Sequence, residues 1–243
     1  MITFIIPAHD EARLIASTLD ALRNATRMLQ EAVEIIVVDD ASTDGTASIA
    51  SEHGARVIRV DHRHIAAARN AGAQQANGER FVFVDADTLI DATVVHAAMD
   101  AMRSGAVGGG ATVRFNGALA VHARIVATFS VWLLRVLRIA PGCFMFCTRE
   151  AFEAVGGFDE HYYAAEDVAM SRSLARHGRF VILRQTVMTS SRKLRTHPIA
   201  DQLRLMVRFA RHGGDVLRSR RHLELWYGAR RHDPHPEGTR KSS

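Results

Sequence analysis

The sequence predicts an α/β protein, a mostly parallel sheet with helices on both faces. Three observations carry that prediction. Four short β-rich runs occupy the first third of the chain, helical stretches separate them, and polar residues directly follow three of the runs. Short apolar runs joined by helices form right-handed βαβ units around a buried parallel sheet.

The candidate strands are Thr3 to Ile6, Glu34 to Val38, Ala55 to Val60 and Arg80 to Val84. Helical patterns lie near Glu11 to Gln30, Gly45 to His53 and His64 to Ala76, and a further helix begins near Asp91. Open sheets of this kind bind ligands at the carboxyl ends of their strands. The polar segments there are Pro7-Ala8-His9-Asp10-Glu11, Asp39-Asp40 and Asp85-Ala86-Asp87.

The second half is less regular. Gly108 to Gly110 precede an expected strand or bend, and Ala118 to Ile139 reads as a long helix ended by Pro141-Gly142. Cys143 to Cys147 is strand-like, Gly156-Gly157 is a turn signal, and Glu166 to His177 reads as a helix stopped by Gly178. Residues 1–212 form the expected domain, with halves at 1–115 and 116–212. Residues 213–243 form a basic tail, expected to be partly disordered.

Length and composition bound the function. A chain of 243 residues with 47% hydrophobic residues has enough apolar sequence for one substantial core. The formal charge of +5 suits anionic partners, nucleotide diphosphates and phospholipid headgroups among them. Nucleic acid is not expected, because aromatic residues are only 7% and do not alternate with the basic ones. The segment MITFIIPAHDEA has no secretory-signal pattern, and Cys143 and Cys147 are the only cysteines. These features favour a reducing cytoplasm, with attachment at the inner face of the membrane as the variant.

Two carboxylates at i and i+2 after a buried strand form the first candidate site. In an extended chain Asp85 and Asp87 point to one side and offer hard oxygen ligands to Mg2+ or Mn2+. The plain alternative has Asp87 capping the helix near Asp91, with Asp85 solvated. The second candidate is VVDDASTDGT, Val37 to Thr46, where Asp39 closes a strand and a carboxylate could accept from a uracil N–H or ribose hydroxyls. Good turn formers account for Ser42 to Gly45 without any ligand.

Six segments in one order then resemble a known family: IIPAHDEA, VVDDASTDGT, AARNAGA, VDADT, VGGFDE and AEDVAMSRSLARHG, spanning about Met1 to Arg184. This pattern is similar to the inverting glycosyltransferases of family 2. The resemblance implies a GT-A-like, Rossmann-type fold and transfer of a sugar from a nucleotide-diphospho-sugar, UDP-linked by preference, to an acceptor hydroxyl. It also implies roles, with 1–115 as the nucleotide-binding half and 116–212 as the acceptor and catalytic-base half. Pro7, Ala8, His9 and Glu11 would line the nucleotide pocket, Asp39 would hold the base with Asp40 beside it, and Arg69 would contact the nucleotide. Asp85 would reach ribose or metal, Asp87 would ligate the metal directly, and Gly156 and Gly157 would let backbone approach the donor sugar. Asp167 would be the general base and Glu166 would orient the acceptor. Two acids at a helix start also simply complement the helix dipole.

Departures and competitors narrow the reading. The family usually has Asn where this chain has Asp10, and Gln202-Leu203-Arg204-Leu205-Met206 does not match the Gln-x-x-Arg-Trp of processive synthases. A sugar nucleotidyltransferase would carry a Gly-rich loop after the first strand, and a dehydrogenase would carry Gly-x-Gly-x-x-Gly. Neither is present. A catalytically silent nucleotide-sugar binding module remains the alternative in a different class. The acceptor would be a glycan, a lipid-linked molecule or a small molecule. Arg124, Arg135 and Arg138 cluster on one side of the 118–139 helix, opposite Ile125, Phe129, Trp132, Leu133 and Val136. That face fits either peripheral membrane contact or packing on the sheet.

Overall fold

The computed structural model describes residues 1–116, 140–163 and 165–190. The expected helix at 118–139, the helical run Arg204 to Arg211 and the tail 213–243 lie outside the described residues.

Strand β1 (Ile2–Ala8) shows why the sheet forms. Its alternate side chains enter two separate apolar clusters, Ile2, Phe4 and Ile6 in one and Ile5 in the other. Strand β4 (Arg80–Val84) divides in the same way, with Val82 and Val84 against Phe81 and Phe83. A strand buried on both faces is apolar at nearly every position, and these two depart from that only at Thr3, which is buried in β1, and at Arg80, which opens β4. Helices α1 (Ile15–Thr26) and α4 (Ala92–Arg103) cover the first face through Ile15, Leu19, Leu22, Val94, Val95 and Met99. Helices α3 (Ile65–Gln75), α5 (Arg149–Ala154) and α6 (Glu166–His177) cover the second.

The remaining elements are β2 (Val33–Asp40), α2 (Thr46–Glu52), β3 (Arg56–Val60), β5 (Thr88–Leu89), β6 (Gly108–Asn116), β7 (Phe144–Thr148) and β8 (Phe180–Ser190). Among the described residues eight strands join in the order β3-β2-β1-β4-β7-β6-β8-β5. Strands β3, β2, β1 and β4 run parallel, β7 is antiparallel to both β4 and β6, and β6 pairs in parallel with β8. The chain leaves β1 to one side for β2 and β3 and returns to the other for β4. The carboxyl ends of β1 and β4 therefore flank the crevice of a topological switch point.

Several expectations change in detail. Helix α1 starts four residues later than Glu11, because residues 9–12 are spent on contacts with the loop after β2. Gly108 to Gly110 do not precede a strand; they begin β6. A Cβ at Gly109 would stand 2.2 Å from Val181 O and one at Gly110 2.4 Å from the Ala140 Cβ, so close packing rather than turning explains them. Strand β8 lies beyond the predicted elements, and the short β5 falls in the interval taken for a connection.

Candidate active site

The loop after β1 is tied to the loop after β2. Asp10 N–H donates to Ser42 Oγ at 3.0 Å and Glu11 N–H to Thr46 Oγ1 at 2.8 Å. In return Asp10 Oδ1 accepts from Thr43 N–H at 2.7 Å. Asp10 adopts φ +50, in the left-handed region that Asn and Asp tolerate best among residues with a side chain. The exchange of Asn for Asp at this position thus keeps the backbone geometry.

Within that unit the candidate residues take different places. Pro7 and Ala8 end β1, and the His9 ring Nδ1 lies 2.7 Å from Asp40 O. A carbonyl only accepts, so Nδ1 carries the proton. Asp39 is buried at the end of β2 and accepts from Ser42 N–H at 3.3 Å. Asp40 faces the other way: Oδ1 accepts from His62 and Arg63 N–H, both at 2.7 Å, and Oδ2 from His64 N–H at 2.9 Å. Its carboxylate fixes the entry to α3.

After β4 the chain does not stay extended as the i, i+2 argument assumed. Thr88 N–H donates to Asp85 O at 3.0 Å, which closes a tight turn over Asp85-Ala86-Asp87. Asp91, not Asp87, caps α4, accepting from Val94 N–H at 3.0 Å. Asp87 meets β8 instead: Thr189 Oγ1 lies 3.4 Å from Asp87 Oδ1, and Ser190 N–H donates to Asp87 O at 3.2 Å. The missed strand β8 therefore borders the candidate site.

Arg69 is the organising cation. It is 1% exposed, and the close approach of α3 to the sheet puts it there. Gly72, one turn on, permits that approach, since a Cβ would stand 2.5 Å from Ile5 Cγ2 and 2.9 Å from Val38 Cγ2. Arg69 Nη1 donates to Glu166 Oε1 at 2.8 Å, and Nη2 donates to Asp85 Oδ1 at 3.0 Å and to Gly142 O at 2.8 Å. Burial alone would disfavour its charge, but Asp85, Glu166 and Asp167 outweigh burial and hold the guanidinium charged. Arg69 is thus buried between the turn after β4 and the start of α6, bound to a carboxylate of each.

Glu166 and Asp167 open α6, whose preceding residue Ala165 has φ +62. Glu166 is buried against Arg69. The Asp167 carboxyl is raised to about 7, first by burial and then by the adjacent Glu166, while Arg69 and the amides of Val168 and Gly142 act in the opposite sense. Neighbouring carboxyls in contrasting environments are the usual way a site prepares one of them for proton transfer. The Cys143 thiol is pushed well up by burial and by the charges of Asp85, Asp87 and Asp167. All three carboxylates lie within electrostatic reach of that one sulfur. Cys143 and Cys147 are both free.

Gly156 and Gly157 have φ +81 and +75 after the end of α5. The close approach observed at Gly157 is to Asn70, whose Oδ1 would be 2.8 Å from a Cβ there. Sequence reasoning did not single out Asn70 or Thr189, and it read Cys143 only as one of two free cysteines. The only sequence signal for Asn70 was its place beside Arg69 in AARNAGA.

Comparison with known proteins decides the family. The model of Glycosyl transferase family 2 matches residues 3–156. The chain belongs to glycosyltransferase family 2. Among family relatives, the poly(ribitol-phosphate) beta-glucosyltransferase of Bacillus spizizenii is 36% identical over 96 residues, which is 37% of this chain and 15% of that protein. The poly-beta-1,6-N-acetyl-D-glucosamine synthase of Staphylococcus aureus is 26% identical over 194 residues, 73% of this chain and 46% of that protein. The chain therefore spans less than half the length of these curated relatives. Among solved structures, the mannosyltransferase PcManGT of Pyrobaculum calidifontis, in complex with GDP-Man and Mn2+, superposes with a TM-score of 0.65 at 25% identity. That superposition covers 77% of this chain and 56% of the mannosyltransferase. The fold is of the GT-A type. No described helix is long and apolar enough to cross a membrane.

Proposed function

We propose that the chain is an inverting glycosyltransferase that moves a sugar from a nucleotide-diphospho-sugar to an acceptor hydroxyl, with Asp167 as general base. The observation that carries this reading is the contrast between Asp167, raised to about 7, and Glu166, held by Arg69 at 2.8 Å. Ionised Asp167 takes the proton of the acceptor hydroxyl. The acceptor oxygen forms its bond to the anomeric carbon from the side opposite the diphosphate, and the bond from that carbon to the diphosphate oxygen breaks. The sugar leaves with inverted configuration.

The donor lies, in this reading, across the carboxyl ends of β1, β2 and β4. Asp39 accepts from the base or ribose, and the loop of Pro7, Ala8, His9 and Glu11 walls the nucleotide. Asp40 acts one step back by holding residues 62–64, and Arg69 acts beneath the site by setting Asp85 and Glu166. Gly156 and Gly157 shape the loop on the sugar side.

The residues present suit a divalent cation. Two aspartates at a strand end, Asp85 and Asp87, form a hard oxygen pair, and Mg2+ or Mn2+ is commonly held by one or two carboxylates together with substrate phosphates. Such an ion supplies charge neutralisation to the departing diphosphate. The solved mannosyltransferase neighbour contains Mn2+ and GDP-Man, which supports a cation here without choosing the base.

The test is a panel of UDP- and GDP-sugars incubated with the full chain, Mn2+ and a mixture of glycoside acceptors, with the product's anomeric configuration read by NMR. Inverted product supports the proposal. Retained configuration overturns the inverting mechanism, and nucleotide binding without any sugar release identifies a silent binding module.

A further inference from the structure

The helix that carries Arg69 under the site also carries Asn70, turned toward a different loop. Asn70 Nδ2 donates to Phe158 O at 2.9 Å and to Glu160 Oε1 at 2.8 Å, and Asn70 Oδ1 accepts from Phe158 N–H at 2.9 Å. The amide orientation follows from its partners, because a flipped amide would set like against like at every contact. One side chain thus pairs with both backbone groups of Phe158, as a neighbouring strand would. Gly157 leaves the space for that pairing. The Phe158 ring lies 5.2 Å from the Arg69 guanidinium and 4.9 Å from the Phe83 ring.

The same helix holds the loop a second time. His64 caps α3 and is 93% buried by its 7% exposure, with its ring centroid 4.5 Å from that of Tyr163. The segment from Phe158 to Tyr163 leads directly to Glu166 and Asp167. Helix α3 and its cap therefore hold this region three times, through Arg69 to Glu166, through Asn70 to Phe158 and Glu160, and through His64 to Tyr163.

We propose that Asn70 is a positioning residue for the transfer step, fixing the segment Phe158 to Glu160 against α3, and so the placement of Asp167, without touching the donor nucleotide. This inference rests on the glycosyl-transfer reading above. A donor-pocket residue would change nucleotide affinity. A residue acting through the loop changes turnover instead, and small misplacements of a catalytic group cost large factors in rate.

The experiment compares the full wild-type chain with Asn70→Ala. Affinity for UDP and GDP in Mn2+ is measured by calorimetry, and release of nucleoside diphosphate from UDP- and GDP-sugars is measured alongside. Asn70→Ala is expected to hold nucleotide affinity within about 3-fold while kcat falls about 10- to 100-fold. Should Asn70→Ala prove poorly folded, the exposed Glu160 offers a second route. Glu160→Ala removes one of the three bonds, leaves the Phe158 pair, and is expected to lower kcat by a smaller factor in the same direction. Rescue adds a test that a general loss of packing would not pass. Asn70→Asp sets two carboxylates together, and adding Glu160→Gln restores a donor opposite residue 70 and part of the lost kcat. Nucleotide affinity falling in step with kcat, unchanged kcat in Asn70→Ala, or no recovery in the double variant would each overturn the proposal. A wild-type chain that turns over no sugar nucleotide defeats the transfer reading itself and this inference with it; active wild type matched by Asn70→Ala defeats only this inference.

Discussion

Arg69 and Glu166, 97 residues apart in the chain, meet in a buried ion pair at 2.8 Å. The same guanidinium binds Asp85 at 3.0 Å. One cation thus joins the turn after β4 to the start of α6, which brings Asp85 and Glu166 into one electrostatic unit. A buried pair is weak evidence of stability in itself, but breaking one by removing a single partner is costly.

Arg69→Met should therefore destabilise the fold by about 3–5 kcal/mol, the range for orphaning a buried charge. It also removes the cation that holds the Asp167 carboxyl down. The acidic limb of the pH–rate profile should move to higher pH in any folded Arg69→Met enzyme. Arg69→Lys keeps the charge but loses the fork that reaches both carboxylates, so its effect should be intermediate. Thermal unfolding and a pH–rate profile check both claims. An unshifted acidic limb in Arg69→Met would show that Arg69 does not govern Asp167.

Asp167 makes a prediction about stability whose sign is opposite to that of an ordinary salt-bridged aspartate. Its folded carboxyl, at about 7, lies above the ordinary value near 4. Between those values the folded state binds more protons than the unfolded state, so stability falls as pH rises and stays low above 7. Asp167→Asn should consequently be more stable than wild type at pH 8, and the gain should vanish toward pH 4. Chemical denaturation at the two pH values reads this out. Equal stability at pH 8 would mean that Asp167 is not raised in the folded protein.

For the free enzyme, kcat/KM should rise with pH up to about 7 and then level, because the base works ionised. A profile flat from pH 5 to 8 would assign proton removal to some other group.

Asp87 tests the cation. Asp87→Ala should abolish most turnover and weaken Mn2+-dependent UDP or GDP binding, with little change in the unfolding temperature. Turnover that survives both this substitution and excess chelator would rule out a metal-assisted reaction.

The first half of the fold was legible in the sequence because β1 and β4 are largely apolar and buried on both faces and α1 and α4 carry an apolar stripe. Strand β4 was expected from Arg80 to Val84 and is observed there. Helix α6 was equally plain, from Glu166 to His177 with Gly178 after it. Strand β8 was not legible. Its side chains mix buried Phe180, Leu183 and Val187 with exposed Arg184 and Met188, so neither a continuous nor an alternating pattern emerges. Of the candidate carboxylates, Asp39, Asp40, Asp85 and Asp87 were singled out from their places after strands, and Glu166 and Asp167 from a helix start that matches the family pattern. What each one touches was not, since Asp39 and Asp40 are adjacent in sequence yet turn toward different loops. The depth of Arg69 was hidden for a similar reason, because it depends on the space that Gly72 leaves against Ile5 and Val38.

Gly72 converts that last point into a prediction. Gly72→Val should cost about 1–3 kcal/mol through overpacking and should lower turnover further by lifting Arg69 from Asp85 and Glu166. Unfolding and kinetics measured together distinguish this from a silent change; wild-type stability would mean that α3 does not depend on the close approach.

The central claim is that Asp167 performs the proton transfer and does not serve in the donor pocket. The most direct measurement compares wild type with Asp167→Asn in Mn2+, following nucleotide affinity by calorimetry and sugar transfer by release of nucleoside diphosphate. Affinity is expected to stay nearly unchanged while transfer falls by about 100-fold or more, the scale of general-base removal. Affinity lost in proportion to rate, or transfer left intact, would contradict the claim.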